Sequence, residues 1–201
     1  MAVDEAPRYI VFAGVNGAGK STLFRSGMWS SRSGDMDLPR VNSDEILVAH
    51  GWDWRDEKAQ IRAGKEAVRM MDGYLASGVS FNQETTLSGR TILRRIRQAV
   101  RSGYSVTMHY IGVESPDIAN ERIRNRVSRG GHAIPTETVE RRFRSSLSNL
   151  VQAVPLCEDL YVFDNTDELK MVACFDRGEL VHHLKFPHYS WLEGVLSKIS
   201  R

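Results

Sequence analysis

The stretch at residues 9–22, YIVFAGVNGAGKST, constrains this chain more than any other. Residues 9–13 are an apolar run of β-formers, and a glycine-rich turn follows directly. Gly14, Gly19, Lys20 and Ser21 occupy every fixed position of the phosphate-loop pattern GxxxxGK[ST]. A backbone that wraps successive N–H groups around a phosphate must approach it closely, and glycine, lacking a Cβ, permits that approach. The helix expected from about residue 19 points the positive end of its dipole at the same anion. Gly14, Asn16, Gly17, Ala18, Gly19, Lys20, Ser21 and Thr22 are therefore read as a nucleoside triphosphate cradle. Lys20 supplies a cation for the terminal phosphates, and the Ser21 hydroxyl is the expected Mg²⁺ ligand.

Such a loop needs a strand before it and a helix after it, and the rest of the chain continues that alternation. Strands are predicted at residues 9–13, 40–42, 79–83, 104–113 and 159–164, where short apolar or alternating runs lie between turn signals. Helices are predicted at 20–27, 52–76 and 89–102, from Pro116 after the cap residue Ser115, and after Thr136 as a cap. This order predicts an α/β fold of the phosphate-loop kinase type, a mostly parallel five-stranded sheet with helices on both faces. Residues 171–184 read as a hairpin about Asp176-Arg177-Gly178-Glu179, and 189–199 as a terminal helix. The expectation is one domain over 1–201, its core at about 8–165, with the hairpin and terminal helix (about 166–201) as a small addition.

Composition bounds the function. The 201 residues, 41% apolar and 26% charged with a net charge of +2, are those of an ordinary globular protein, with no global field for nucleic acid or membrane. Of the 27 basic residues 21 are Arg, and twelve of these fall between Arg90 and Arg144. Arginine's planar fork suits bidentate phosphate contacts. Two cysteines are too few for a disulfide framework or a zinc site. No leader peptide and no apolar run of membrane-spanning length are visible, so a cytoplasmic protein is expected.

Ligands of open α/β sheets bind beyond the carboxyl ends of the strands. Asp44 follows the second strand and is a candidate general base; equally, Ser43 or Asp44 could cap a helix starting at Glu45. Glu84 and Thr86 follow the third strand, where they would bind acceptor hydroxyls or a metal-bound water, or else form a polar loop capping the next helix. Arg94, Arg95, Arg97 and Arg101 form the polar face of an amphipathic helix and are read as solvated. Arg126 and Arg129 precede the Gly130-Gly131 break, and Arg141, Arg142 and Arg144 follow it. Cations there could neutralise charge on a moving phosphoryl group. His132, inside the break, is a candidate contact to phosphate or acceptor.

With these residues assembled, the chain resembles the zeta-toxin family of P-loop kinases, specifically its small bacterial members. The resemblance rests on the phosphate loop, VNSDEI (41–46), ETTLSGR (84–90), RNRVSRGGHAIP (124–135) and ERRFRSSLSNL (140–150), and spans about residues 8–165. It implies ATP and Mg²⁺ as cofactors, Lys20 and Ser21 for nucleotide and metal, Asp44 as general base, Glu84 and Thr86 at the acceptor, and Arg126 as a phosphate-stabilising arginine. A second family arginine aligns with His132, so Arg129 or Arg142 is the expected substitute. Better-known members of the family phosphorylate a sugar hydroxyl of UDP-N-acetylglucosamine and are restrained by antitoxin proteins. The segment after Glu84 departs from the usual glutamate-glycine-threonine pattern, which leaves the small-molecule acceptor open.

Two other classes compete. An ABC-like or regulatory ATPase is suggested by Leu87-Ser88-Gly89, which echoes part of the ABC signature without its following Gly-Gln. A nucleic-acid-binding module would use the Arg-rich segment, but that segment lacks interleaved aromatics and a binding motif.

Overall fold

The computed structural model describes residues 5–131, 133–184 and 189–199. Its centre is β1 (Arg8–Ala13), whose residues 9–13 are all buried because β3 (Phe81–Thr85) pairs on one side and β4 (Ser105–Gly112) on the other, both parallel. The sheet runs β2-β3-β1-β4-β5-β6-β7, with β2 at Arg40–Val41, β5 at Asp159–Asp164, β6 at Lys170–Asp176 and β7 at Glu179–His183.

This is one seven-stranded sheet rather than five strands with a separate hairpin. The hairpin forms about the expected turn, but β6 pairs antiparallel with β5 and extends the sheet. The reason is burial: Val172, Ala173 and Phe175 are apolar, and lying beside β5 takes all three out of water.

Side chains of β1 alternate between two cores, as strand geometry requires. Tyr9 and Val11 face a layer formed by α3 (Glu57–Ser77), α4 (Arg90–Arg101), α6 (Thr136–Ala153) and α7 (Ser190–Ile199). Ile10 and Phe12 face Leu23 of α1 (Lys20–Ser26), Trp29, and Ile123 of α5 (Pro116–Val127). The terminal helix is therefore part of the core. Trp191 packs over Gly112, where any Cβ would overlap its ring, and its indole N–H donates to Asp164 Oδ2 at 2.8 Å.

Three boundaries differ from the sequence expectation where local hydrogen bonds decide them. The third strand starts two residues later than expected, because Gly78 turns left-handed at the end of α3 and the Val79 N–H is used by Tyr74 O. Glu84 consequently sits in the strand, not after it. α3 begins at Glu57, capped by Asp56 accepting from the Lys58 N–H. Thr136 is the first residue of α6 rather than its cap. No described helix is long and apolar enough to cross a membrane.

Candidate active site

The phosphate loop joins β1 to α1 and turns three times through glycines in left-handed backbone: Gly14, Gly17 and Gly19. Each is also packed where a side chain would not fit. A Cβ on Gly14 would overlap Ile111 O, one on Gly17 would lie 2.6 Å from Ala119 O, and one on Gly19 would strike the Asn165 amide. That amide donates to Ala18 O at 2.7 Å and so fixes the loop from β5. Asn165 was not anticipated from the sequence, although it follows a strand end, as Asp44 does.

Lys20, only 7% exposed, donates to Val15 O at 3.1 Å and stands 3.9 Å from Glu84 Oε1. Burial holds its ammonium below the usual lysine value; the carboxylates of Glu84 and Asp44 act against that shift, and the charges of Arg126 and Arg142 add to it. Four sequence candidates thus bear electrostatically on one cation.

Ser21 Oγ donates to Glu84, 3.1 and 3.0 Å from its two carboxylate oxygens. Glu84 also accepts from Arg40 Nη2 at 2.6 Å and from Asn42 Nδ2 at 3.3 Å. Arg40 in turn lies over the Phe24 ring at 3.7 Å and donates to Asn82 Oδ1. Neither Arg40 nor Asn42 was assigned a role from the sequence, although Asn42 lies within the VNSDEI segment. A hydroxyl and a carboxylate side by side at the loop's end fit Mg²⁺, which takes few protein oxygens and completes its shell with phosphates and water.

Asp44 is the second residue of α2 (Ser43–Ala49). The cap of this helix is Asn42, whose side-chain oxygen accepts from the Asp44 N–H at 3.0 Å, so neither Ser43 nor Asp44 fills that role. Asp44 is exposed and lines a cleft of about 780 Å³ together with Asn16, Lys20, Glu84, Thr86 and Arg142. Arg142 reaches in from α6 and donates to Asn16 Oδ1 at 2.8 Å. Burial and neighbouring Arg141 lower its pKa, while Asp44 opposes them.

Thr86 hydrogen-bonds Ser88 Oγ at 2.8 Å, inside a tight turn that puts Leu87 at φ +54°. A bulky residue in that region is strained, at a typical cost of about 1–3 kcal/mol. Asn149 secures the turn from α6, its amide donating to Leu87 O (2.8 Å) and Gly89 O (3.2 Å). Asn149 lies within the 140–150 segment, but no role for it was legible in the sequence.

Two sequence assignments are divided by the structure. Arg126 and Arg129 line a separate cleft of about 530 Å³ with Arg122 and Gly131, although the Arg126 charge is felt at Lys20. Arg95, expected on a solvated face, is 11% exposed and lines the main cleft. His132 lies outside the described residues.

The arrangement has relatives. A protein of Haemophilus influenzae of unassigned activity is 33% identical over 135 residues, which are 67% of this chain and 91% of that protein. Among solved structures, the AvrRxo1-ORF1:-ORF2 complex with ATP superposes with a TM-score of 0.70 at 17% identity, covering 97% of this chain and 65% of that one. The chain thus spans slightly under two thirds of that protein. The PezAT chromosomal toxin–antitoxin system of Streptococcus pneumoniae gives a TM-score of 0.62 at 14% identity, covering 98% of this chain and 86% of that one. Residues 1–173 match the Zeta toxin family, and the chain belongs to it.

Proposed function

We propose that this protein is an ATP-dependent kinase that transfers the γ-phosphoryl group to a hydroxyl of a small molecule held in the main cleft. The observation that carries this reading is the convergence on that cleft of Lys20, Glu84, Asp44 and Arg142, four charged groups from four elements. The loop's glycines and the α1 N-terminus bind the phosphates, and Lys20 moves from Val15 O to their terminal oxygens. Bound Mg²⁺, held by Ser21 with Glu84 beside it, would supply charge neutralisation at the phosphates.

Asp44 accepts the acceptor's hydroxyl proton as the new O–P bond forms and the bond from the γ-phosphorus to the ADP oxygen breaks. Arg142 and Arg126, whose charges already bear on Lys20, offset the negative charge shifting to the leaving group. Thr86 orients the acceptor from the strained turn. Family membership supports a nucleotide sugar such as UDP-N-acetylglucosamine as acceptor and an antitoxin as protein partner, in the cytoplasm. The ATPase alternative fits less well: Leu87-Ser88-Gly89 is followed by Arg90 and Thr91, where the ABC signature needs Gly-Gln.

Asp44→Ala decides the matter. It should keep Mg²⁺-dependent ATP affinity within about twofold and lose at least about a hundredfold in transfer to nucleotide sugars, read by mass. Turnover at the parent rate would remove Asp44 from the mechanism, and absence of ATP binding by the parent protein would remove the kinase.

A further inference from the structure

The main cleft is deeper than phosphoryl transfer requires. Gln83 and Glu84 are adjacent in β3 and so point to opposite faces of the sheet. Both line the cleft, which therefore continues from the phosphate loop past the strand end into the layer between α3 and α4. Its wall there is small and apolar (Ala63, Gly64, Ala67, Met71, Ile92), and one cation, Arg95, stands among these groups.

Arg95 is held in an unusual way. Its Nη1 donates to Asp72 Oδ1 at 2.7 Å, toward the surface, and Asp72 itself is about half exposed. Its Nε is fully buried and has no hydrogen-bond partner among the described residues. A buried guanidinium N–H left unpaired is costly, because folding has removed its water and returned nothing. Nearby, the Tyr9 hydroxyl donates to Gln83 Oε1, which leaves the Gln83 amide N–H₂ as a donor on the cleft wall. The Arg95 charge is close enough to that phenol to counteract part of the rise in its pKa that burial produces. Arg95 thus brings to this wall a charged donor that is only partly satisfied.

We propose that Arg95 is the anchor of an acceptor subsite, and that the acceptor alcohol carries an anionic group, carboxylate or phosphate, that docks on its guanidinium, the side chain turning so that the Nε now sealed from solvent gains a partner. The side of a guanidinium presents parallel N–H groups that match two oxygens of such an anion. The apolar wall excludes water around the pair, and the anion sets the distance at which the hydroxyl meets Asp44. Arg95 is thus a specificity residue and takes no part in the chemical step. This inference rests on the kinase reading above.

The test pairs phosphorylated alcohols (nucleotide sugars, nucleoside monophosphates, sugar phosphates) with their uncharged counterparts (free sugars, nucleosides), using ATP and Mg²⁺. The anionic member of a pair should be the better acceptor. Arg95→Gln should raise its KM about 10- to 100-fold, with kcat and the KM for ATP unchanged, and should leave any uncharged acceptor unaffected. Arg95→Lys should recover part of the loss. Asp72→Asn, which removes the surface ion pair and keeps the cation, should not raise the acceptor KM; this separates binding from a merely structural role. If uncharged alcohols serve as well as charged ones, if no anionic alcohol is accepted by protein that binds ATP, or if Arg95→Gln leaves the acceptor KM in place, the subsite is overturned. Failure to bind ATP overturns the kinase reading instead.

Discussion

Arg40 Nη2 lies 2.6 Å from Glu84 Oε2, and the same carboxylate receives the Ser21 hydroxyl. Both partners are only about an eighth exposed, at 12% and 13%. The pair aims Glu84 at the residue that would hold the metal, and the Phe24 ring under the guanidinium keeps Arg40 in place. Glu84→Gln should therefore raise the Mg²⁺ concentration for half-maximal rate about 10- to 100-fold while the fold persists. In a double-mutant cycle on kcat/KM, Arg40→Met and Glu84→Gln should couple by about 1 kcal/mol or more. Additive effects would show that Arg40 does not act through Glu84.

Gly17 tests the cradle without touching a charged group. Its φ is +80°, and a Cβ would meet Ala119 O at 2.6 Å. Ala119 is backbone of α5 and has little room to yield. Gly17→Ala should lower stability by about 1–3 kcal/mol and abolish measurable ATP affinity in calorimetry. Unchanged affinity would mean that the loop does not need this conformation.

Asn149 is a buried amide that holds two carbonyls of the strained turn. Asn149→Leu leaves both acceptors unpaired and should cost about 2 kcal/mol in urea unfolding. Because Thr86 rides on that turn, kcat should fall at temperatures where the variant is still folded. A stability loss with kcat intact would confine Asn149 to a structural role.

His109 governs a pH dependence of stability. It is buried in a stack between Phe12 and Tyr161, with ring centroids 5.4 and 5.3 Å away, and its Nδ1 has no partner among the described residues. Burial pushes its pKa down to about 4, against a weaker opposing pull from Asp35. Between about pH 6.5 and 4 the unfolded chain binds a proton here that the folded chain refuses, so stability falls as pH falls, by about 1.4 kcal/mol per unit at most. His109→Phe keeps the stack and removes the titration. Its urea midpoint should change less across this window than that of the parent, and parallel profiles would exclude His109 as the source.

What the chain settles locally was legible in the sequence. Residues 14–22 are covalent neighbours, so the phosphate-loop pattern and the strand–turn–helix it needs could be read there directly. The 3.6-residue period likewise marks Ile92, Leu93, Ile96, Ala99 and Val100 as one face of α4, and all but Val100 are buried. Periodicity, however, identifies an apolar face and not what meets its margins. Arg95 lies at the edge of that stripe, and its long stem could run to solvent or, as it does, lie along the cleft wall.

The rest of the site was decided by tertiary packing. Ser21 and Glu84 are 63 residues apart, and Asn16 and Arg142 are 126 apart. Asn42 took the cap that Ser43 and Asp44 could equally have supplied, leaving the Asp44 carboxylate exposed in the cleft. The hairpin joined the sheet because its apolar residues found cover only beside β5. In each case the deciding free energy is that of burial or of a hydrogen bond between segments distant in sequence, which arises only when strand order brings them together.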